Sequence, residues 1–339
     1  MQTPAGIVPK IGSELTLNDR IGSARVRCAI GRMTYTVDPG PYALGAPGPH
    51  SPVLVSANYK LSFDRLRQAL PGRSAWLLVL DTAGVNVWCA AGKGTFGTAE
   101  LVDRIRSSRL EQLVEHRQVI VPQLGAPGIA AHEVKKHSGF KVIYGPIRAS
   151  DLPAFIDSGY KATPPMRIKT FTIGERLTLV PVELIFALRT LLLIFPVIFV
   201  LSGFAYGAGF LSNAIRYGIV NALGFATGII AGCAATPLLL PWLPGRAFSV
   251  KGILPGIAGA LLFLLLRMNS GFVTSPGLPE AAAWLFIIPT VSAYYAMNFT
   301  GCSTFTSLSG VKKEMRRAVP FQIVAMAAGI LLWAVSRFF

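Results

Sequence analysis

Residues 76–93 read WLLVLDTAGVNVWCAAGK, a short apolar run that leads through a glycine-containing turn to a single cysteine. The run has the length of a strand and the apolar composition of strands that are buried on both faces. Such a strand needs neighbouring strands beside it and helices on both of its faces. The stretch therefore predicts an α/β sheet and places Cys89 beyond the carboxyl end of one of its strands.

The same alternation of apolar runs and helical patterns continues before and after this stretch. Apolar runs predict strands at 51–57, 75–82, 118–124 and 140–147, and helical patterns follow at 62–70, 98–114, 129–137 and 150–157. Thr98 is the expected N-cap of the second of these helices. The alternation indicates a Rossmann-like sheet of parallel strands, in which ligands bind outside the carboxyl ends of the strands.

The overall composition indicates a membrane protein. Hydrophobic residues make up 52% of the 339 residues and charged residues only 14%, and the mean hydropathy is +0.52. Much of the net charge of +16 lies in loops beside apolar runs, which favours a cytoplasmic membrane face over a nucleic acid partner. The four cysteines lie far apart without a CxxC pair, so no structural disulfide is expected.

Five apolar segments near 182–204, 217–240, 252–268, 281–300 and 319–336 approach or reach the roughly 20 residues that span a bilayer. We therefore predict an α/β domain at 1–168, a linker at 169–180 and an all-α transmembrane domain of five spanning helices at 181–339. The first twenty residues lack the apolar core of a secretory signal, which predicts a cytoplasmic first domain.

The basic residues predict the orientation of the spans. They concentrate before the first span, between the second and third, and between the fourth and fifth, while the opposite side has only Arg216, Arg267 and Arg337. This bias predicts a multi-pass protein of the cytoplasmic (inner) membrane with its C-terminus outside. Cys233 and Cys302, in or near spans, are interpreted as apolar packing residues.

The octapeptide NVWCAAGK, residues 86–93, allows three interpretations. It approaches the phosphate loop GxxxxGK[ST], but Val87 stands where the first glycine is required and Gly94 follows Lys93. A free cysteine is most often a small buried hydrophobe. Against that interpretation, the small residues at 90–92 leave room for a large flat group, and a thiolate is a soft ligand suited to a transition metal.

The octapeptide resembles the signature of the HgcA family, the corrinoid protein of microbial mercury methylation. The segments PVLVSANYKLSFD (52–64), WLLVLDTAGVNVW (76–88) and VIVPQLGAPGIAAHEVKKHSGFKVIYGPIRASDLPAFI (119–156) are similar to the corrinoid domain of the large subunit of the corrinoid iron–sulfur protein. That relative is soluble and lacks the cysteine motif. Together with the five-span tail, the resemblance covers most of the chain.

The resemblance implies a bound cobalamin-type corrinoid (cobamide) in the base-off form, with Cys89 as both the lower axial ligand of cobalt and the catalytic residue. Asn86 and Trp88 would help to fix the short cap helix that carries this cysteine. The cofactor-binding residues expected on this basis are Ser56, Asn58, Asn86, Val87, Trp88, Cys89, Ala90, Ala91, Gly92, Lys93, Gly125, Pro127 and Gly128.

The family resemblance also implies the activity, a membrane-anchored corrinoid methyltransferase that passes a methyl group from cobalt to Hg(II) and forms methylmercury. The implied methyl source is folate-linked one-carbon metabolism. The chain has no clustered cysteines for an iron–sulfur centre, so an external reductant is expected, which in the family is a ferredoxin-like protein with two four-iron clusters (HgcB type). Two alternatives stay open: a corrinoid methyl carrier for another acceptor, and a multipass transporter or sensor with a cytoplasmic ligand-binding domain.

Overall fold

The computed structural model describes residues 1–204, 209–269, 271, 275–302 and 308–338, without the side chains of 300–302, 308, 309 and 338. The chain divides into two compact units. The first, here called the α/β unit, comprises residues 1–26 and 30–169. The second, the helical unit, comprises residues 27–29 and 170–339.

The α/β unit alternates strands and helices along most of its length. Its elements are β1 (Gln2–Thr3), β2 (Gly6–Ile7), β3 (Lys10–Ile11), α1 (Leu17–Arg27), β4 (Gly40–Leu44), β5 (Val53–Ala57), α2 (Lys60–Gln68), β6 (Ala75–Leu80), α3 (Val87–Lys93), α4 (Thr98–Ser107), α5 (Leu110–Leu113), β7 (Gln118–Val121), α6 (Ala131–Ser138), β8 (Lys141–Tyr144) and α7 (Leu152–Asp157).

Six of these strands form one sheet in the order β3-β4-β6-β5-β7-β8. Strands β5 to β8 are mutually parallel, as the sequence predicts. Side chains alternate between the two faces: Leu78 of β6 packs with α3 to α6, and its neighbour Leu77 packs with α2 and α7. The sheet is therefore buried on both faces, which explains the continuous apolar runs from which it was predicted.

Three features of this unit differ from the expectation. Strand β4 pairs antiparallel with β6, and β3 lies beyond it, so the sheet is mixed rather than parallel. The helix expected at 98–114 is broken, because Arg109 adopts a left-handed φ of 47° and separates α4 from α5. Thr98 is the first residue of α4 rather than its N-cap, and its hydroxyl accepts a hydrogen bond from the Ala130 amide at 2.8 Å.

A cluster of partly buried charges joins α1 to α2. Asp19 accepts hydrogen bonds from Lys60 Nζ at 2.5 Å and from Arg67 Nη2 at 2.7 Å, and Asp64 contacts the same two cations. Burial opposes the ionised form of Asp19, but the bonds from Lys60, Thr16 and Arg67 prevail and hold the pKa of this carboxyl well below its usual range. The cluster therefore stabilises the fold only while Asp19 is ionised.

We expect Asp19→Asn to lower the free energy of unfolding of the α/β unit at pH 7 by about 1 kcal/mol, because it removes charge-assisted hydrogen bonds. The folded-state pKa lies below the unfolded one, so this stabilisation is complete above about pH 4 and is lost as the pH falls further. Urea unfolding of the full chain in detergent between pH 7 and pH 2 should show a smaller acid-induced loss in the variant than in the wild type. Asp103→Asn, at an exposed position on α4, is the control.

The helical unit contains the long apolar helices. Its elements are α8 (Ile173–Leu177), α9 (Val180–Gly203), α10 (Phe210–Ile230), a π-helical segment (Ala231–Ala235), α11 (Thr236–Leu239), α12 (Phe248–Asn269), α13 (Leu278–Ala296) and α14 (Leu308–Phe338).

Five helical stretches among the described residues are long and apolar enough to cross a membrane, judged by length and composition. They are Ile173–Gly203, Phe210–Leu239, Phe248–Asn269, Leu278–Phe299 and Gly310–Arg337. Each overlaps one of the five predicted segments. The predicted linker at 169–180 contains the short helix α8, which begins with a capping box between Thr172 and Glu175.

Two of the arginines counted on the side opposite the basic loops are buried within helices. Arg267 of α12 and Arg337 of α14 are buried, and both contact the buried Glu280 of α13. Arg267 Nη1 lies 2.7 Å from a Glu280 carboxylate oxygen, and the Arg337 guanidinium lies 4.8 Å from the ring centre of Tyr217. These two charges are thus paired inside the helical unit, a contact that a local charge count cannot register because the partner lies on another helix.

The apolar packing predicted for Cys233 and Cys302 can be checked for only one of the two side chains. Cys233 is fully buried at the centre of the π-helical segment, packed in the apolar core of the helical unit, as predicted. The side chain of Cys302 lies outside the described part of the chain.

Candidate functional site

The carboxyl ends of the four parallel strands meet at one edge of the sheet. The chain leaves β5 at Asn58, β6 at Asp81, β7 at Pro122 and β8 at Gly145. The chain passes from β5 to β6, which pairs with one edge of β5, and then to β7, which pairs with the other edge of β5. The point where the strand order reverses opens a crevice at the carboxyl edge, the place where α/β sheets bind ligands.

The octapeptide forms a short helix at this edge. Asn86 is the N-cap of α3, and its Oδ1 accepts a hydrogen bond from the Cys89 amide at 3.0 Å. The Nδ2 of the same side chain donates to the Cys89 sulfur at 3.4 Å. One asparagine thus starts the helix and fixes the thiol on its first turn. Gly94, at φ 85°, ends the helix.

The two faces of α3 have different surroundings. Ala90 and Ala91 are buried in the core beneath the helix. Cys89, Gly92 and Lys93, three and four residues apart, are exposed on the other face. A Cβ at Gly92 would meet no atom within 4 Å, so the space beside the sulfur is open. Among the predicted cofactor-binding residues, Ala90 and Ala91 therefore pack against the core beneath the helix. Cys89, Gly92 and Lys93 face outward.

The glycines of the GAPG turn pack against the cap segment. This turn is a 3-10 helix, Gln123–Gly128. A Cβ on Gly128 would lie 2.1 Å from the Phe96 carbonyl oxygen and 3.2 Å from Ala91 Cα, and one on Gly125 would lie 2.4 Å from the Phe96 ring. Their small size is thus required by contacts within the protein, whereas Pro127 between them is exposed.

Asn58 supports the loop that leads into α3. Its Oδ1 accepts hydrogen bonds from the amides of Thr82 at 3.1 Å and Gly84 at 3.0 Å, and its Nδ2 donates to Asp81 at 3.1 Å. Gly84 has a left-handed φ of 72° and lies against the Met33 carbonyl. The buried Asn58 side chain is engaged with this loop, so its place in the structure is that of a positioning residue for the cap helix.

A cavity of about 90 Å³ lies at the reversal point, beside the start of α3. Ser56 and Val87, both predicted site residues, line it together with residues that the sequence analysis did not identify. Those from the strand ends include Pro122, Gly145 and Pro146. Pro122 and Gly145 directly follow strands β7 and β8. A proline or glycine at the end of a strand was the sequence signal that could have identified them as site residues, because residues at that position lie on the carboxyl edge.

The remaining candidates lie away from this edge or stand alone. His132 and His137 are exposed on α6, and His137 Nε2 lies 3.1 Å from Glu133. Trp88 is half-buried beside the cysteine. Within the described ranges, no three His, Cys, Asp or Glu side chains are grouped closely enough to hold a metal ion. A metal held at Cys89 would therefore have to bring most of its own ligands.

Comparison with known proteins finds relatives of the α/β unit. The family described as CO dehydrogenase/acetyl-CoA synthase delta subunit matches residues 31–156. The gamma subunit of the acetyl-CoA decarbonylase/synthase complex of Methanothermobacter thermautotrophicus is 32% identical over 128 residues, 37% of this chain and 28% of that protein. The corresponding subunit of Archaeoglobus fulgidus is 29% identical over 131 residues, 38% of this chain and 27% of that protein.

The chain thus spans little more than a quarter of the length of the curated relatives it matches. The family match lies entirely inside the α/β unit. These matches support the predicted similarity of this unit to the corrinoid domain of the corrinoid iron–sulfur protein large subunit. The finer resemblance to the mercury-methylation family depends on the octapeptide.

Proposed function

We propose that the α/β unit binds a cobalamin-type corrinoid at its carboxyl edge, in the base-off form, with the Cys89 sulfur as the lower axial ligand of cobalt. The observation that carries this proposal is the exposed, N-capped thiol on the open face of α3. A macrocycle supplies its own equatorial nitrogen ligands, so one soft protein ligand completes the lower side of the metal. The similarity of residues 31–156 to acetyl-CoA synthase subunits supports the same cofactor.

The shape of the edge suits this cofactor. Gly92 leaves the face beside the sulfur free for a flat ring system, and half-buried Trp88 offers an aromatic surface next to it. The 90 Å³ cavity is too small for the macrocycle, so the ring would lie over the open face of α3. Asn86 would then hold the sulfur toward the metal, as hydrogen-bonded neighbours of metal ligands do.

We infer that the activity is transfer of a methyl group to Hg(II), forming methylmercury. The bound corrinoid supplies the methyl group and a metal whose electron density a thiolate ligand raises. The chain's own residues position that ligand and leave its surroundings open for a soft metal substrate. The five apolar helices would anchor the protein in the cytoplasmic membrane with the α/β unit in the cytoplasm and the C-terminus outside.

This function needs partners. No group of clustered metal-ligating side chains occurs among the described residues, so cobalt reduction falls to an external donor, for which we propose a ferredoxin-like protein with two four-iron clusters. We propose a folate-linked system as the methyl source. A corrinoid carrier serving another acceptor would use the same site, and a transporter or sensor would not need the thiol.

The full chain, purified in detergent and loaded with methylcobalamin, tests the proposal directly. We expect it to show the spectrum of base-off cobalamin and to form methylmercury from Hg(II) in a single turnover, with repeated turnover only when both the ferredoxin-like reductant and a methyl donor are added. Cobalamin binding without methylmercury formation would favour the carrier for another acceptor. A protein that neither binds cobalamin nor changes its spectrum would contradict the site itself.

Gly92→Ala tests which face of α3 meets the cofactor. Alanine favours helix over glycine by about 1 kcal/mol and would touch nothing in the protein, so the fold should be as stable as the wild type or more so. A methyl group beside the sulfur should weaken cobalamin binding by about tenfold, because it crowds a close contact. Absorbance titration of the apoprotein measures the affinity, with Gly174→Ala, a helical glycine with nothing within 4 Å, as the control. Wild-type affinity in Gly92→Ala would place the cofactor elsewhere.

A further inference from the structure

A groove of about 380 Å³ lies on the helical unit between α12, α13 and α14. The apolar residues that line it include Val250, Ile253, Phe286, Pro289, Ala318 and Phe321. Phe321 is 78% exposed and Val250 is 49% exposed, so the groove opens to the surface of the unit. All three helices belong to candidate membrane spans, and such an opening would face the acyl chains of a bilayer. The site does not depend on the function proposed above.

One end of the groove lies at the first turns of α12 and α14. Ser249 and Ala318 line this end, and the Ser249 amide donates a hydrogen bond to Glu314 Oε1 at 2.7 Å. A Cβ on Gly252 would lie 2.8 Å from the Cα of Ala293, so this lining residue of α13 is at the same end. The end belongs to the side of the spans that the charge bias predicts to be cytoplasmic.

Two basic residues of α14 lead into the groove. Phe321 and Ala325 line it at a spacing of four residues, and the same spacing continues toward the start of the helix through Arg317 to Lys313. Residues four positions apart follow one another along the same side of a helix. Both cations are exposed. They therefore continue the α14 wall of the groove toward the surface of the membrane.

A third cation comes from the opposite wall. A Cβ on Gly245 would lie 3.3 Å from Val250 Cγ1, which places the exposed Arg246 beside the α12 side of the groove. Within the described part of the chain, Arg246, Lys313 and Arg317 form no ion pair with a carboxylate. The carboxylate of Glu314 is engaged with the α12 backbone. This end of the groove therefore has an excess of positive charge.

A phospholipid matches both the groove and the charges. Its acyl chain would contact the apolar walls, and its phosphate oxygens accept charge-assisted hydrogen bonds from Lys and Arg side chains. A zwitterionic headgroup has an ammonium that offsets its phosphate, whereas an anionic headgroup retains its negative charge beside the cations. A water-soluble phosphate would leave the groove unused. The combination therefore favours an anionic phospholipid.

We propose that the groove binds one acyl chain of an anionic phospholipid of the cytoplasmic leaflet. The phosphate lies at the end formed by Ser249 and Ala318, where Arg317 and Lys313 bind it from α14 and Arg246 adds its charge from the α12 side.

Matched lipids test the proposal on the full chain in detergent. Native mass spectrometry compares the retention of dioleoylphosphatidylglycerol with that of dioleoylphosphatidylcholine, which has the same acyl chains and a zwitterionic headgroup. We expect the first lipid to bind about tenfold more tightly, because each cation beside the headgroup favours a negative charge. Glycerophosphoglycerol, the same headgroup without acyl chains, should not compete. Equal retention of the two lipids, or competition by the free headgroup, would overturn the proposal.

Two paired variants of α14 locate the phosphate. Lys313→Gln combined with Arg317→Gln should remove most of the tenfold preference. Lys312→Gln combined with Arg316→Gln removes the same charges from a side of the helix that continues to Pro320, which does not line the groove, and should keep the preference. All four positions are exposed, so the fold should be retained. Equal losses in the two pairs would show general attraction to a basic surface and refute the site.

A third pair of variants tests the position of the acyl chain. Ala325→Phe should fill part of the groove and weaken phosphatidylglycerol binding by about tenfold, because it crowds the space that the chain occupies. Val324→Phe, at an exposed position of α14 outside the groove, is the control. Unchanged binding in Ala325→Phe, or dimers of the chain that exclude the lipid, would assign the groove to another occupant and contradict the proposal.

Discussion

Cys89→Ala is expected to lower methylmercury formation by the full chain by more than about 100-fold. Loss of a residue that only supports a metal ligand typically costs 10- to 100-fold, so loss of the proposed protein ligand itself should cost more. The fold should be retained, because the side chain is exposed and alanine is the residue most favourable to a helix. The absorbance spectrum of bound cobalamin should change as well, since the donor atom below cobalt is removed.

The measurement is methylmercury produced per mole of protein, at matched loading with cobalamin. Cys28→Ala is the control, because Cys28 is a half-buried thiol in the same chain that lies outside the octapeptide. Cys89→His is expected to keep weak cobalamin binding, because imidazole also ligates cobalt, and to lose most of the activity. Full activity in Cys89→Ala would exclude sulfur ligation.

Gly128→Ala is expected to destabilise the α/β unit by about 3 kcal/mol, at the upper end of the cost of overpacking. The new Cβ would lie 2.1 Å from the Phe96 carbonyl oxygen and 3.3 Å from that of Ala91. Both are backbone atoms, so no side-chain rotation relieves the overlap and the cap segment must move. Because Cys89 lies on that segment, cobalamin affinity should fall together with stability.

Urea unfolding of the apoprotein and absorbance titration with cobalamin measure the two effects. Gly48→Ala is the matched control, since a Cβ at Gly48 would meet no atom within 4 Å and its φ is not left-handed. Unchanged stability in Gly128→Ala would show that the turn at 123–128 does not support α3. Unchanged affinity in a destabilised variant would separate the cap segment from cofactor binding.

The candidate site was only partly predictable. The strand before the octapeptide and the position of Cys89 beyond its carboxyl end followed from local sequence, and Asn86 as the start of a helix is a local interaction as well. The use of Asn58 to hold the loop at 81–84 involves residues more than twenty positions apart. The packing of Gly128 on Ala91 and Phe96 also joins segments that are distant in the sequence. Glycines that were predicted to contact the cofactor thus make close contacts with other parts of the protein.

The division into an α/β part and an apolar helical part followed from local sequence, because strand-length apolar runs and long hydrophobic segments are properties of neighbouring residues. The antiparallel pairing of β4 and the burial of Arg267 and Arg337 on Glu280 depend instead on tertiary packing. Each of these depends on partners that come together only when distant segments pack. Local pattern carries no information about which distant group will satisfy a charge or a hydrogen bond.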